Sequence, residues 1–138
     1  MKIILIAGLL ILLILPGCTQ MSEPEAIVSA YFTAWDQHSY STMYSLMSDG
    51  FKKLEPSAAS PDSFRIYAEL QSIDKVKILF VREISNGEGQ ATVDYEVEFT
   101  TQGKKIPFRG SYTLKYRSND AQPGWKLIHP YGEHIDTS

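Results

Sequence analysis

The sequence predicts an α+β fold, with helices packed on one face of a curved antiparallel sheet. Three observations predict it. From Glu23 to Leu70 the apolar residues recur at three and four, the period of a helix with one buried face. From Ile73 onward the period drops to two, the signature of a strand with one face covered. Two of the alternating runs also match each other in mirror order across Gln102-Gly103, as the arms of a hairpin must.

The chain has 138 residues, 43% of them hydrophobic and 12% aromatic, which suits one compact domain. A formal net charge of −3 leaves no basic footprint, so no nucleic-acid partner is expected. At the amino end, Ile3 to Leu15 is an unbroken apolar run preceded by Lys2. As a helix it would be about 20 Å long, short of a hydrocarbon core of roughly 30 Å. A core helix would keep a polar stripe, and this run has none. Residues 1–17 therefore read as a secretory signal peptide.

The only cysteine follows at once, in Leu15-Pro16-Gly17-Cys18. This tetrapeptide resembles the lipobox of prokaryotic lipoproteins. The resemblance implies a diacylglycerol thioether on Cys18, cleavage before it, and an extracytoplasmic chain anchored to the membrane through that residue. Two buried acyl chains hold a protein where one gives only reversible binding. Residues 18–22 would be the lipidated cysteine and a tether of Thr19, Gln20 and Met21, about 10 Å at full stretch. No disulfide is expected from one cysteine.

Residues 23–138 read as a single domain. Ser22 and Glu25 form a capping box with Pro24 in the first turn, opening a helix to about Gln37. Ile27, Ala30, Tyr31, Ala34 and Trp35 share its inward face. Ser39 is the expected cap of a short second helix, with Tyr40, Met43, Tyr44 and Met47 inward. Ser60-Pro61-Asp62 opens a third, with Phe64, Tyr67 and Leu70 as its buried stripe. Val76 to Ile84 is strand-rich, and Asn86 to Gly89 is a turn signal. Ala91, Val93, Tyr95, Val97 and Phe99 then alternate with Thr92, Asp94, Glu96, Glu98 and Thr100. Ile106, Phe108, Gly110, Tyr112, Leu114 and Tyr116 alternate with Arg109, Ser111, Thr113, Lys115 and Arg117. With Gln102-Gly103 as a two-residue turn, Thr101 faces Lys104, Val97 meets Phe108, Tyr95 meets Gly110, Val93 meets Tyr112, and Glu96 meets Arg109. A last strand is expected from Trp125 to about Tyr131.

Within this pattern, Ala30 to Ser48 (AYFTAWDQHSYSTMYSLMS) resembles the first helix pair of nuclear transport factor 2-like cone domains. It is most like the version at the N-terminus of some penicillin-binding transpeptidases. Ala34-Trp35, Tyr40, Met43-Tyr44 and Leu46 carry the likeness, with Phe64 and Tyr67 in the next helix and Gly124 to Leu127 in the last strand. The resemblance covers roughly residues 23 to 131. It implies a cone of about three helices on a sheet of about four strands, and a non-catalytic module that makes contacts. Ser39 stands where the family often has Asp. No transpeptidase domain follows, so cell-wall enzymology is not expected of this chain.

A catalytic cone would place an acid or base on an inward strand face. The inward rows here offer only the phenols of Tyr95, Tyr112 and Tyr116. Asp94, Glu96 and Glu98 fall on the opposite face, solvated or paired with Arg109 and Lys115. His38, His129 and His134 show no metal-ligand spacing, so no metal is expected. There is no Gly-rich phosphate cradle, nucleophile elbow or Cys-His pair, so no cofactor is expected either. His129 is the one weak candidate for a base, at the cone mouth. Tyr31, Trp35, Tyr44, Tyr95 and Tyr112 are candidate pocket-lining residues, suited to a flat or apolar ligand; as ordinary core they would also be unremarkable. The expected partners are the membrane, an envelope protein or a small apolar ligand, with a homodimer through the outer sheet face as a third reading. The runner-up function is a small isomerase- or dehydratase-type enzyme built on His129.

Overall fold

The structure, a computed structural model, describes residues 20–138; the expected signal peptide and Cys18 lie outside them. Helix α1 (Glu23–Asp36) begins with the capping box. The Glu25 backbone N–H donates to Ser22 Oγ at 3.2 Å, and the Ser22 N–H donates to Glu25 Oε1 at 2.8 Å. The other carboxylate oxygen of Glu25 accepts the Glu83 backbone N–H at 2.9 Å, so one side chain caps the helix and ties it to the sheet. Helix α2 (Tyr40–Ser45) starts after Ser39, whose hydroxyl turns to Thr42 Oγ1 instead of the backbone. Helix α4 (Pro61–Leu70) has its Ser60 cap on the Ser63 N–H at 3.1 Å.

Between α2 and α4 the chain forms one more helix than expected, α3 (Asp49–Leu54), and a short 3-10 turn at Pro56–Ala58. The second helix does not reach Met47. Leu127 N–H donates to Leu46 O and Ser48 N–H to Leu127 O, both at 2.9 Å, and this parallel bridge pulls Met47 against the last strand. Ser48 is then free to cap α3 through the Phe51 N–H at 3.1 Å. Phe51, fully buried, becomes part of the core.

Strands β1 (Lys75–Gly87), β2 (Gln90–Thr101), β3 (Lys104–Arg117) and β4 (Gly124–Leu127) form one antiparallel sheet in that order. The β2–β3 register is the expected one, unbroken from Thr101↔Lys104 to Gln90↔Lys115. Gln102 and Gly103 both take positive φ, 50° and 76°, as a two-residue turn that follows the strand twist requires. Strand β1 carries a bulge between Ile78 and Phe80. Val76 and Ile78 face the core before it and Val81 after it, so the bulge moves the inward positions from even to odd numbers. Phe80 is thereby turned to the outer face, under the Arg109 guanidinium at 5.7 Å.

Strand β4 is shorter than expected and ends at Leu127, three residues before Pro130. It pairs only with Leu114 to Arg117 of β3. The outer edge of β3 from Lys104 to Arg109 is therefore free and exposed. Counting from the turn, the Glu98–Pro107 pair falls where the backbone of β3 points away from β2. Pro107, which has no N–H to give, sits on that free edge, where a strand tolerates it.

Helix α1 packs on β1 and β2 with α4 and α2 alongside. The fully buried residues run from Val28 through Phe32, Met43, Met47, Phe51, Phe64, Val93 and Val97 to Leu127. Residues 20–138 thus close a core of their own. The C-terminal segment locks onto this core. Asp136, only 1% exposed, accepts from Ser48 Oγ at 2.8 Å, from the Ser138 N–H at 3.0 Å and from the Arg117 guanidinium. It lies so close over α3 that a Cβ on Gly50 would stand 2.3 Å from its carboxyl carbon.

Candidate functional site

Five parts of the fold surround a partly open cavity of about 250 Å³, with Met43 of α2 among its lining. Helix α1 supplies Tyr31 and Trp35, one turn apart, and Phe32 beside them. Helix α4 supplies Phe64, Tyr67 and Ala68. The inward rows of the hairpin supply Tyr95 and Phe99 from β2 and Phe108 and Tyr112 from β3. Pro130 and Tyr131, beyond β4, close the remaining side. Phe108 stands half exposed at the rim.

The rings form two sets. In the first, Tyr95 lies 4.8 Å from Phe32 and 4.6 Å from Tyr112, and Trp35 lies 5.1 Å from Phe99, centroid to centroid. In the second, Tyr67 stacks on Tyr131 at 4.3 Å, with Phe64 5.8 Å from Tyr131. Gly110 makes the first set possible. Its cross-strand partner is Tyr95, and a Cβ there would meet Tyr95 Oη at 2.7 Å, so the phenol can lie across the strand only over a glycine.

The polar groups of the cavity are neutral. Burial holds the phenols of Tyr31 and Tyr112 far above their ordinary range, with neighbouring phenols adding to the effect. Burial also raises Tyr95. Tyr131 is pushed up to about 12, first by burial, and its hydroxyl is engaged outside the cavity with Ser57 Oγ at 2.9 Å. The indole Nε1 of Trp35 is shielded from solvent with no partner among the described residues, a loss of about 1–3 kcal/mol that this wall carries. Among the described residues lining the cavity, none is Asp, Glu, His, Lys, Arg or Cys.

Of the candidates read from the sequence, Tyr31, Trp35, Tyr95 and Tyr112 come together in this wall. Tyr44 does not line the cavity. Its hydroxyl donates to Ala58 O at 3.0 Å, and its ring lies under the Lys52 ammonium at 4.2 Å. His129 is not at the mouth either. It follows the last strand, its Nε2 sits 2.7 Å from Gly132 O, and it borders an open groove of mixed polarity with Ser111 and Thr113. Those two residues alternate with Tyr112 on β3, so the sheet stands between His129 and the cavity. His38 Nε2 is 3.2 Å from Ile73 O, and His134 pairs with Glu55 at 3.1 Å, so the three histidines do not converge. Among the described residues no group of three or more His, Cys, Asp or Glu is placed to hold a metal ion.

Sequence reasoning placed Phe99 and Phe108 on the inward rows without assigning them to a pocket, and it missed Phe32, Tyr131 and Pro130. The outer face is polar. Glu96 pairs with Arg109 as expected, while Glu98 meets Lys105 rather than Lys115, at 4.0 Å, and Asp94 accepts from Ser111. A wider trough of about 680 Å³ lies between α3 and the C-terminal segment. It is open and mixes both charges around Asp49, Lys53, Arg117 and Asp120, so it lacks the enclosed apolar character of a ligand site.

Comparison with known proteins agrees with this architecture. The model of the NTF2-like N-terminal transpeptidase domain family matches residues 23–130. Among solved structures, a Sec-C motif containing protein from Psychrobacter arcticus superposes with a TM-score of 0.56 at 10% identity, over 84% of this chain and 66% of that one. A putative dehydratase from the NTF2-like family of Streptomyces avermitilis superposes with a TM-score of 0.53 at 13% identity, over 76% of this chain and 88% of that one. At such identities the likeness is one of fold. Comparison with curated proteins returns no match.

Proposed function

The chain belongs to the NTF2-like N-terminal transpeptidase domain family, and from that premise we propose that it is a membrane-anchored extracytoplasmic lipoprotein whose cone is a non-catalytic module binding a small apolar ligand. The observation that carries the reading is the partly open cavity of about 250 Å³ with an aromatic wall and no Asp, Glu, His, Lys, Arg or Cys in its lining. Apolar surface binds apolar ligands without chemistry, whereas proton transfer needs a positioned group that titrates near the working pH. Burial keeps the cavity phenols protonated, and His129, the base a catalytic reading would use, is on the other side of the sheet.

Two measurements test the two halves of the proposal. Residues 20–138 titrated calorimetrically with 2-isopropylnaphthalene give saturable one-site binding. Ala68→Phe, which fills the cavity from α4, removes it. An absence of saturable binding to the unaltered domain sinks the ligand half. In cells, the full chain fractionates with membranes and Cys18→Ser releases it; a variant that stays membrane-bound sinks the anchor half.

A further inference from the structure

The outer face of the sheet is charged unevenly. Val76, Ile78 and Val81 of β1 face the core, so Lys75, Lys77 and Arg82 stand on the outer face, all of them exposed. Beside them β2 presents Glu98, Glu96 and Asp94, and beyond it β3 presents Lys105 and Arg109. The acids are engaged toward β3. Glu96 pairs with Arg109, Glu98 reaches Lys105 at 4.0 Å, and Asp94 accepts from Ser111. The acids at the two ends of the stretch are occupied as well. Asp74 accepts the Gln102 backbone N–H at 3.2 Å, and Glu83 accepts from the Asn86 side-chain amide at 3.1 Å. Among the described residues, Lys75, Lys77 and Arg82 therefore have no acidic partner within 4.0 Å. Five cations stand against three acids across these strands, in a chain whose net charge is −3.

The same strand carries exposed apolar side chains. The two register shifts of β1 leave Leu79 and Ile84 without a cross-strand partner, and both are about half exposed. Met21, also half exposed, joins them. It precedes Ser22, whose capping partner Glu25 holds the Glu83 N–H at 2.9 Å, so the chain enters the domain beside Ile84. The unpaired cations, the aliphatic pair and the entry of the chain from the Cys18 side thus lie along one strand. Another strand is poorly received there, because the Val76 and Glu83 N–H groups are already taken by Asp36 and Glu25. An anionic bilayer suits what is left. Its headgroup phosphates attract the cations, and aliphatic side chains enter the boundary between headgroups and acyl chains.

We propose that β1 is the side this domain lays on an anionic lipid surface, with Lys75, Lys77 and Arg82 at the headgroups and Met21, Leu79 and Ile84 between them. The proposal rests on the anchor reading given above and adds the orientation in which the anchored domain is held. Attraction by three cations is screened beyond about 8–10 Å at cellular salt, so the contact orients a tethered chain and does not hold an untethered one. The test uses residues 20–138, which lack the anchor, sedimented with vesicles at about 20 mM salt. The domain binds vesicles of equal parts phosphatidylcholine and phosphatidylglycerol, and binds phosphatidylcholine alone at least about tenfold more weakly. Salt at about 0.5 M releases it. Lys77→Gln combined with Arg82→Gln weakens binding about 25-fold, roughly fivefold for each cation removed, whereas Lys53→Gln on α3 leaves it unchanged. Cys18 is the only cysteine of the chain, so one environment-sensitive dye can be placed on the domain at will. On Ile84→Cys its emission moves to shorter wavelength with the anionic vesicles; on Glu69→Cys of α4 it does not. No binding to the anionic vesicles, equal binding to the neutral ones, an unweakened double variant, or a dye shift absent at Ile84→Cys or present at Glu69→Cys overturns the proposal. Each of these results leaves the Cys18 anchor standing, because release of Cys18→Ser is read separately in cells, after a salt wash that dissolves this contact.

Discussion

Replacing Gly50 by Ala should destabilise this protein in the presence of Asp136 and stabilise it in its absence. Gly50 lies in α3 without a positive φ, so the backbone itself accepts alanine, and a helix prefers it by up to about 1 kcal/mol. The obstacle is the Asp136 carboxyl, whose carbon would lie 2.3 Å from the new Cβ. To admit it, Asp136 must leave Ser48, Arg117 and the Ser138 N–H. Breaking a buried ion pair costs about 3–5 kcal/mol. Arg117 keeps 17% of its side chain exposed, so the lower end applies, about 3 kcal/mol for Asp136→Ala. Gly50→Ala alone, net of its helix gain, costs about 2 kcal/mol. In the Asp136→Ala background it should instead add up to about 1 kcal/mol of stability, giving a coupling near 3 kcal/mol. Urea unfolding of residues 20–138, followed by circular dichroism, reads all four corners of the cycle. At an m of about 1.5 kcal/mol/M the single Gly50→Ala change lowers the midpoint by about 1.3 M. Equal destabilisation by Gly50→Ala in both backgrounds would refute the account of the C-terminal lock.

The same carboxylate sets an acid dependence. Burial pushes Asp136 up, but hydrogen bonds from Ser138, Ser48 and Arg117 outweigh it and hold its folded pKa below the ordinary value. Its contribution is therefore complete above the unfolded pKa of about 3.9 and disappears as pH falls through the lower folded one. Unfolding free energies measured from pH 5 to pH 2 should fall more gently in Asp136→Ala than in the unaltered domain, and parallel curves would count against this. Glu25 is lowered chiefly by the Ser22 backbone N–H and then by that of Glu83, so Glu25→Ala should cost more than the roughly 1 kcal/mol of an ordinary cap change; thermal melts that place it level with Ser22→Ala would show the tie to β1 to be idle. Gly110→Ala should displace the Tyr95 phenol, cost about 1–3 kcal/mol and weaken naphthalene binding; a crystal structure of the variant with Tyr95 unmoved would contradict it.

The hairpin register was legible because its turn and its alternation constrain each other. A slip of one residue would have put Glu96 against the core. The bulge in β1 was not, because Ile78, Leu79, Phe80 and Val81 are all apolar and such a run has no period to break. Helix α3 had its cap and first-turn acid in Ser48-Asp49, but six residues containing Gly50 leave too few positions for a periodic stripe. Tyr31 and Trp35 lie a turn apart on one helix face, and Tyr95 and Tyr112 lie on one sheet face, so period alone brought four wall residues together. Phe32 escaped because α1 is covered on more than one side; it is buried against Tyr95 and Tyr112. Tyr44 and His129 were misplaced for different reasons. The orientation of a two-turn helix depends on its neighbours, and a strand that stops at Leu127 sends His129 to the outer face while Tyr131 returns to the cavity.

Pro107 has a consequence for how copies of this domain meet when they are crowded together. An exposed strand edge alternates donors and acceptors and is a template on which another edge can zip into a growing fibre. Here the edge of β3 lacks one donor in its middle, and Lys105 and Arg109 flank the gap with like charges. Neighbouring molecules can then crowd at high concentration and still slide apart, leaving the aromatic mouth beside that edge open instead of sealed within an aggregate.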